Sequence, residues 1–182
     1  MNFAFETDRL VLRILSPTPE SAETALDFYR RNRFVFERYE PERPCGFYTT
    51  EYQKSLLAYE LNLAVQNKSF RFWVFAKNNT SYAIGNICFY NIIPQIYNRC
   101  ETGYKFDPHY WHRGYAKEAM ELGIFMMFHE LNLRRMEAYV MPENTASIRL
   151  LQNLGFEYEG TCRQYICIHG RPEDLLLFSY IR

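Results

Sequence analysis

Apolar and polar residues alternate from Arg9 to Leu15, with Leu10, Leu12 and Ile14 on one face and Arg9 and Arg13 on the other. That period of two predicts a half-buried strand. Thr18-Pro19 supplies an N-cap and a proline at the first helical position, and predicts a helix to about Arg31. Thr50-x-x-Gln53 has the form of a capping box and opens a second predicted helix through Leu56, Leu57, Leu61 and Val65. Phe34 to Thr49, between them, is irregular and rich in aromatics and prolines.

Two apolar strands, Arg71–Lys77 and Tyr82–Asn91, form a predicted hairpin about Asn78-Asn79-Thr80-Ser81. Cys100–Phe106 is a further strand, stopped by Asp107-Pro108. Ala116, Ala119, Met120, Gly123, Ile124, Met127, Phe128 and Leu131 then recur at helical spacing. Arg135–Met141 alternates again, with Met136, Ala138 and Val140 on one face. Asn144 caps a helix carrying Ile148, Leu151 and Leu154, and Gly155 ends it. Strands at about Tyr158–Ile168 and Asp174–Ile181 flank the turn His169-Gly170-Arg171-Pro172. This order predicts an α/β (α+β) fold with one sheet and helices on its faces. Its centre is the strand-helix-strand unit Cys100 to Met141, whose strands should be parallel with a right-handed crossover.

Length and composition narrow the function classes. The 182 residues suit a single domain spanning 1–182. Basic and acidic residues balance at 21 each, which argues against a nucleic-acid partner and requires any anion site to be local. The five cysteines include no CxxC pair, so free, buried thiols in a reducing cytoplasm are expected. No signal pattern opens the chain, and no apolar run reaches the ~20 residues of a membrane span. His109-x-x-His112 lacks a third ligand in a recognisable frame, so no metal is expected. Aromatics reach 18%, which reads as a ring-filled core or, alternatively, as an aromatic-lined cleft. The oligomeric state does not follow from composition; a homodimer is the commonest soluble assembly.

One turn carries candidate chemistry. His109-Tyr110-Trp111-His112-Arg113-Gly114 links the strand ending at Phe106 to the long helix. The first N–H groups of a helix lack internal partners, and with the helix dipole they make a site for phosphate. Gly114 lets the backbone approach a ligand closely, and Arg113 and Lys117 add positive charge. GxxxxGK(S/T) and GxGxxG are both absent, which leaves nucleotide phosphate-loop and dinucleotide readings without support.

Trp111-His112-Arg113-Gly114-Tyr115-Ala116-Lys117-Glu118-Ala119 resembles the pyrophosphate loop of the GNAT acetyltransferases. Its Trp-first form resembles the RimJ/RimL-like subgroup, the ribosomal-protein N-acetyltransferases. Glu101-Thr102-Gly103-Tyr104 resembles the subgroup's central strand, and Asn144-Thr145-Ala146-Ser147 with Leu154-Gly155-Phe156 its cofactor-side helix. Glu159-Gly160 with Arg163, Gly170 and Asp174 resembles its terminal hairpin, and Glu6-Thr7-Asp8-Arg9-Leu10 its opening. The resemblance covers nearly the whole chain and is weakest from Phe34 to Phe70.

The resemblance implies a GNAT-like fold: a twisted mixed sheet splayed between its fourth and fifth strands, here Cys100–Phe106 and Arg135–Met141, with helices on both faces. It places acetyl-CoA in that opening. It implies that the turn Trp111, His112, Arg113, Gly114, Tyr115, Ala116 and Lys117 holds the pyrophosphate through its amides, and that the pantetheine arm pairs with the strand edge near Phe106. Asn144 would touch the cofactor arm besides capping its helix. Many members carry a tyrosine general acid seven residues after the asparagine; that position here is Leu151. Ser147, one turn after Asn144, would donate to the coenzyme sulfur instead.

The reaction so implied is direct attack of a neutral amine on the thioester. Deprotonating an α-amine of pKa about 7.7–8.0 at pH 7 costs roughly 1 kcal/mol, whereas a lysine amine costs roughly 4–5 kcal/mol. A single carboxylate suits the first task better. Glu101 is the candidate base, directly or through a water, and shares a strand face with Gly103 and Lys105. The alternative is a glutamate in solvent or paired with Lys105. The expected acceptor is a protein N-terminal α-amine, more narrowly that of a ribosomal protein; a small amine such as a polyamine or aminoglycoside-like compound, and a non-catalytic acyl-CoA-binding sensor, are the other readings. Phe34, Phe36, Tyr39, Phe47, Tyr48, Tyr52 and Tyr165 are core or acceptor-lining rings, and Glu37, Glu40 and Glu42 a solvated run or an attraction for a cationic acceptor.

Overall fold

In the computed structural model, which describes residues 3–182, the strands are β1 (Ala4–Glu6), β2 (Leu10–Arg13), β3 (Phe70–Ala76), β4 (Gly85–Ile93), β5 (Arg99–Phe106), β6 (Arg135–Val140), β7 (Glu157–Ile168) and β8 (Arg171–Ile181). They form one sheet in the order β1-β2-β3-β4-β5-β6-β8-β7. Neighbours are antiparallel except β5 and β6, which run parallel as the two ends of the central crossover unit. The helices are α1 (Pro19–Arg31), α2 (Arg33–Phe36), α3 (Thr50–Val65), α4 (Tyr115–Glu130) and α5 (Thr145–Asn153). Among the described residues no helix is long and apolar enough to cross a membrane.

Each face of the sheet has its own core. Ala22, Ala25, Phe28 and Tyr29 of α1 and Leu57 of α3 pack on Trp73 and Phe75 of β3. On the other face Met120, Met127 and Leu151 of α4 and α5 pack on Phe70, Phe72, Val74, Ile87 and Phe89. Each such apolar side chain contributes about 1.5–3 kcal/mol by leaving water. A Cβ at Gly123 would lie 2.4 Å from the Phe89 ring, so α4 presses on β4 with no space for a methyl group. That close seat fixes where the N-terminus of α4 stands.

The sheet opens along its middle. β5 and β6 pair only at Arg99↔Arg135, Cys100↔Met136 and Glu101↔Glu137, although β5 continues to Phe106 and β6 to Val140. β5 stays paired with β4 through Phe106, so the strands part on the β6 side alone. The splay expected between these strands is present. Because Ala4–Glu6 adds an edge strand that the alternation from Arg9 did not reveal, they are the fifth and sixth here.

Several local expectations change. The helix expected from a Thr50–Gln53 box is capped one residue earlier, where Thr49 accepts from Tyr52 N–H. Gln53 is buried and donates instead to the Phe47 carbonyl, which ties α3 to the irregular segment before it. The strand expected from Tyr82 begins at Gly85, since Asn79 bonds Ser81 and extends the turn. All five cysteines are free, yet only Cys88 and Cys100 are buried; Cys45 and Cys167 are exposed because they fall in a loop and on the terminal hairpin.

Candidate active site

The turn before α4 is a backbone device. Asp107, buried, caps the short 3-10 segment Pro108–Tyr110 by accepting from His109 N–H at 2.9 Å, and also pairs with Arg31 of α1. His112 then takes φ +59° and Gly114 φ +78°. The first helical bond runs from Glu118 N–H to the Gly114 carbonyl. The N–H groups from His112 to Lys117 carry no partner among the described residues. A cradle of free amides at a helix N-terminus, with no side chain on its left-handed glycine, fits a pyrophosphate. Trp111, His112, Arg113 and Lys117 are exposed, and Tyr115 and Ala116 half-buried, so this surface is open to a ligand.

Arg9 of the segment before β2 braces that turn from outside, a role no spacing in the sequence signalled. Its Nη1 donates to the Arg113 carbonyl at 2.9 Å, its Nε donates to Glu118 at 2.6 Å, and its guanidinium lies over the Tyr115 ring at 4.6 Å. Burial alone would raise the Glu118 carboxyl, but bonds from Thr7 and from Arg9 outweigh it and hold the group below its ordinary range. A Cβ on Gly114 would also lie 3.3 Å from the Arg9 guanidinium.

The open edge of β5 follows from the ladder. Asp107 N–H donates to the Ile84 carbonyl at 2.9 Å, so odd-numbered residues turn their backbone groups toward β4. The groups of Tyr104 and Phe106 therefore face the splay. The Phe106 carbonyl is taken by the Trp111 indole N–H at 2.8 Å, which locks the turn to the strand end. Tyr104 N–H and Phe106 N–H remain for a ligand. Asn144 caps α5 by accepting from Ser147 N–H at 3.2 Å, and the Tyr104 hydroxyl donates to the Ser147 carbonyl at 3.1 Å. Burial raises the Tyr104 hydroxyl far above its ordinary value, so it stays a neutral donor. Tyr104 thus ties β5 to α5 where the strands part. Leu151, at the position of the missing tyrosine acid, is fully buried core.

Glu101 lies on the opposite face, in register with Glu137 at the last paired position of β5 and β6. Both carboxylates are buried. Glu101 does not pair with Lys105, which is drawn off by Glu40 at 2.5 Å. It accepts from Asn91 Nδ2 at 3.0 Å and has Arg99 at 3.9 Å. Glu137 is enclosed by Arg99 and Arg135. The anion turn and Ser147 belong to the α4/α5 face and Glu101 to the α1/α3 face, and β5 and β6 part between them. Glu137, Arg99 and Arg135 were not singled out in the sequence, although the polar side of the Arg135–Met141 alternation carries two of them.

The aromatic segment divides. Phe36 and Phe47 are core, Tyr48 and Tyr52 pack against it, Tyr39 is half-buried, and Phe34 is 93% exposed. The Tyr165 ring, from a bulge in β7 that Asp174 pins through Gln164 N–H, stacks on Tyr139 of β6 at 4.7 Å. Glu37 and Glu40 are not free charges: Glu37 accepts from Tyr48 and Arg33, and Glu40 pairs with Lys105 and Arg43. Lys105–Glu40 holds this loop over β5, and His169 Nε2 lies 3.0 Å from the Glu37 carbonyl, which joins it to the terminal hairpin. A cavity of about 760 Å³ lies elsewhere, between α1 and the far side of the turn. Its Arg31 and His109 are committed to Asp27 and Asp107.

Comparison with known proteins agrees with this geometry. The acetyltransferase (GNAT) domain family matches residues 9–157. An uncharacterized N-acetyltransferase, p20, of Bacillus licheniformis is 40% identical over 121 residues, covering 66% of this chain and 67% of its own. The structure of a ribosomal-protein-S5-alanine acetyltransferase from Vibrio fischeri superposes with a TM-score of 0.91 at 32% identity, covering 99% of this chain and 97% of that one. The fold also matches Mycobacterium smegmatis RimJ, described in complex with CoA-disulfide, with a TM-score of 0.86 at 22% identity over 94% of this chain and 81% of that one. The family uses acetyl-CoA, and the free amides, the left-handed Gly114 and the one-sided splay suit that ligand. The chain belongs to the GNAT N-acetyltransferases, in their RimJ/RimL-like group.

Proposed function

We propose that the chain acetylates a protein N-terminal α-amine, with ribosomal proteins as the substrate class. The observation that carries this reading is Glu101: a buried carboxylate, only half satisfied, at the mouth of the splay and across the sheet from the free-amide turn. Acetyl-CoA supplies the acetyl thioester. The amides of His112 to Lys117 bind its pyrophosphate, and the β5 edge at Tyr104 and Phe106 aligns its arm. Glu101 accepts the proton that the ammonium must lose before its nitrogen attacks the carbonyl carbon. The Tyr104 or Phe106 N–H donates to the thioester oxygen as charge develops. As the C–S bond breaks, the nitrogen loses its second proton, and the Ser147 hydroxyl takes up that proton while donating its own to the departing sulfur, giving the amide and CoA thiol. Likeness to the Vibrio fischeri S5-alanine enzyme supports an α-amine acceptor. Such a substrate places the reaction in the cytoplasm.

The test is thiol release from acetyl-CoA with a panel of N-terminal peptides and small amines, for the wild type and Glu101→Gln. Release should require a free peptide α-amine. Glu101→Gln should lower kcat by about 10²–10⁴-fold, the usual contribution of a general base, with acetyl-CoA affinity retained. Release with small amines alone would replace the acceptor class. Binding without any release would make the protein an acyl-CoA sensor. Unchanged Glu101→Gln turnover across pH 6–9 would remove Glu101 as base.

A further inference from the structure

Arg99 and Glu101 on β5 face Arg135 and Glu137 on β6 in register, arginine opposite arginine and glutamate opposite glutamate. Like charges directly opposite destabilise a sheet, so stability at this square must come from its diagonal and along-strand pairs. Those pairs are unequal. Glu137 takes both cations, Arg99 on Oε2 and Arg135 on Oε1 at 2.7 Å. Arg135 gives its remaining nitrogens to Glu159, which also accepts from the Ser179 hydroxyl at 2.6 Å. Glu101 is left with the neutral Asn91 amide at 3.0 Å and with Arg99 held off at 3.9 Å.

The result is an alternating row, Glu101, Arg99, Glu137, Arg135, Glu159, with three carboxylates and two guanidiniums. The uncompensated charge falls at the Glu101 end. Among the described residues, β4 presents Tyr90 and Asn91 to that end, β6 presents Tyr139 and β7 presents Tyr165, while the nearby cation of β3, Arg71, is bound to Glu60 and Asn86. Lys105, farther along β5, is bound to Glu40. Burial raises the hydroxyls of Tyr90 and Tyr139, so both stay neutral.

We propose that Arg99 and Glu137 are positioning residues that set the proton affinity of Glu101. Glu137 competes for Arg99 and keeps it from closing onto the base. A carboxylate fully paired with arginine holds its charge too firmly to take a proton from an amine, whereas one with no cation nearby is protonated early. Shared possession of Arg99 leaves Glu101 neither fully paired nor without a cation nearby.

The catalytic consequence rests on the reading of Glu101 as base, but the electrostatic device can be measured apart from it. The readout is the ¹³C NMR titration of the Glu101 carboxyl carbon, assigned by its disappearance in Glu101→Gln. Glu137→Gln frees Arg99 and should lower the Glu101 midpoint by about one pH unit; Arg99→Gln should raise it by about the same amount. In the double variant the Glu137→Gln effect should shrink without vanishing, because the released cation is gone while the direct repulsion between the two in-register carboxylates is still removed. Arg99→Lys, which keeps the cation, should stay near wild type and controls for folding. Shifts of one sign, no shift in either variant, or an undiminished Glu137→Gln effect without Arg99 would each overturn the proposal. Opposite shifts together with unchanged Glu101→Gln turnover would uphold the network and defeat the base reading instead.

Discussion

The turn from Asp107 to Tyr115 and the charged square at the end of the β5–β6 pairing both hold charge in place, by opposite means. The turn offers unpaired main-chain N–H groups and a helix dipole, and its side chains mostly face solvent. The square offers side chains alone, two buried glutamates and two half-buried arginines interlocked across β5 and β6 and tied to the exposed Glu159 of β7. A site built from backbone depends on φ, ψ and the seat of one helix. A site built from side chains depends on register, since a slip of one residue would send Glu101 or Glu137 to the other face. The first should tolerate side-chain truncation and fail when its backbone is altered; the second should do the reverse.

Ser147 lies on the same face of the sheet as the turn, and its replacement gives the largest expected effect of three. A hydrogen bond to a charged group contributes about 1.5–3 kcal/mol, so Ser147→Ala should lower kcat about 10–100-fold if the hydroxyl assists the departing thiolate. KM for acetyl-CoA should move less. A change in KM alone would assign Ser147 to the cofactor side. Gly114→Val comes next. It puts a β-branched residue at φ +78° and its Cβ 3.3 Å from Arg9, with strain of about 1–2 kcal/mol. KM for acetyl-CoA should rise about tenfold while saturating kcat is largely kept; an unchanged KM would mean that backbone shape does not govern the turn. The smallest effect concerns Glu159. Hydrogen bonds from Arg135 and then Ser179 hold its carboxyl down to about 2 against an ordinary value of 4.5. A depressed folded-state value contributes stability that is present above pH 4.5 and lost as pH falls toward 2. Glu159→Gln should flatten the fall of Tm across that window, and a parallel fall in wild type and variant would dissociate the pair from acid stability.

The same contrast explains what could be read early. The turn lies in one contiguous segment, so Trp111 to Lys117 announced themselves through a glycine beside a predicted helix start. Glu101 was legible through its neighbours Thr102, Gly103 and Tyr104. Arg9 was not, because a sequence separation of 104 from Arg113 hides their contact. Glu137 was visible only as a polar position on an alternating strand, with nothing to say that Arg99 would lie diagonal to it. The Thr50–Gln53 box failed because a buried carbonyl, that of Phe47, competed for the glutamine.

Local pattern alone determined most of the elements, though not the edge strand Ala4–Glu6 or the short helix Arg33–Phe36, and with them the alternation that gives each strand an inner face and the backbone conformation that makes the turn receptive to an anion, because these depend on neighbours within a few residues. The tertiary structure decided which strands part and where, that Lys105 serves Glu40 rather than Glu101, and that both arginines turn to Glu137. Those outcomes depend on strand register and on competition among charges from distant segments, and such competition is settled only once the segments share a face of the same sheet.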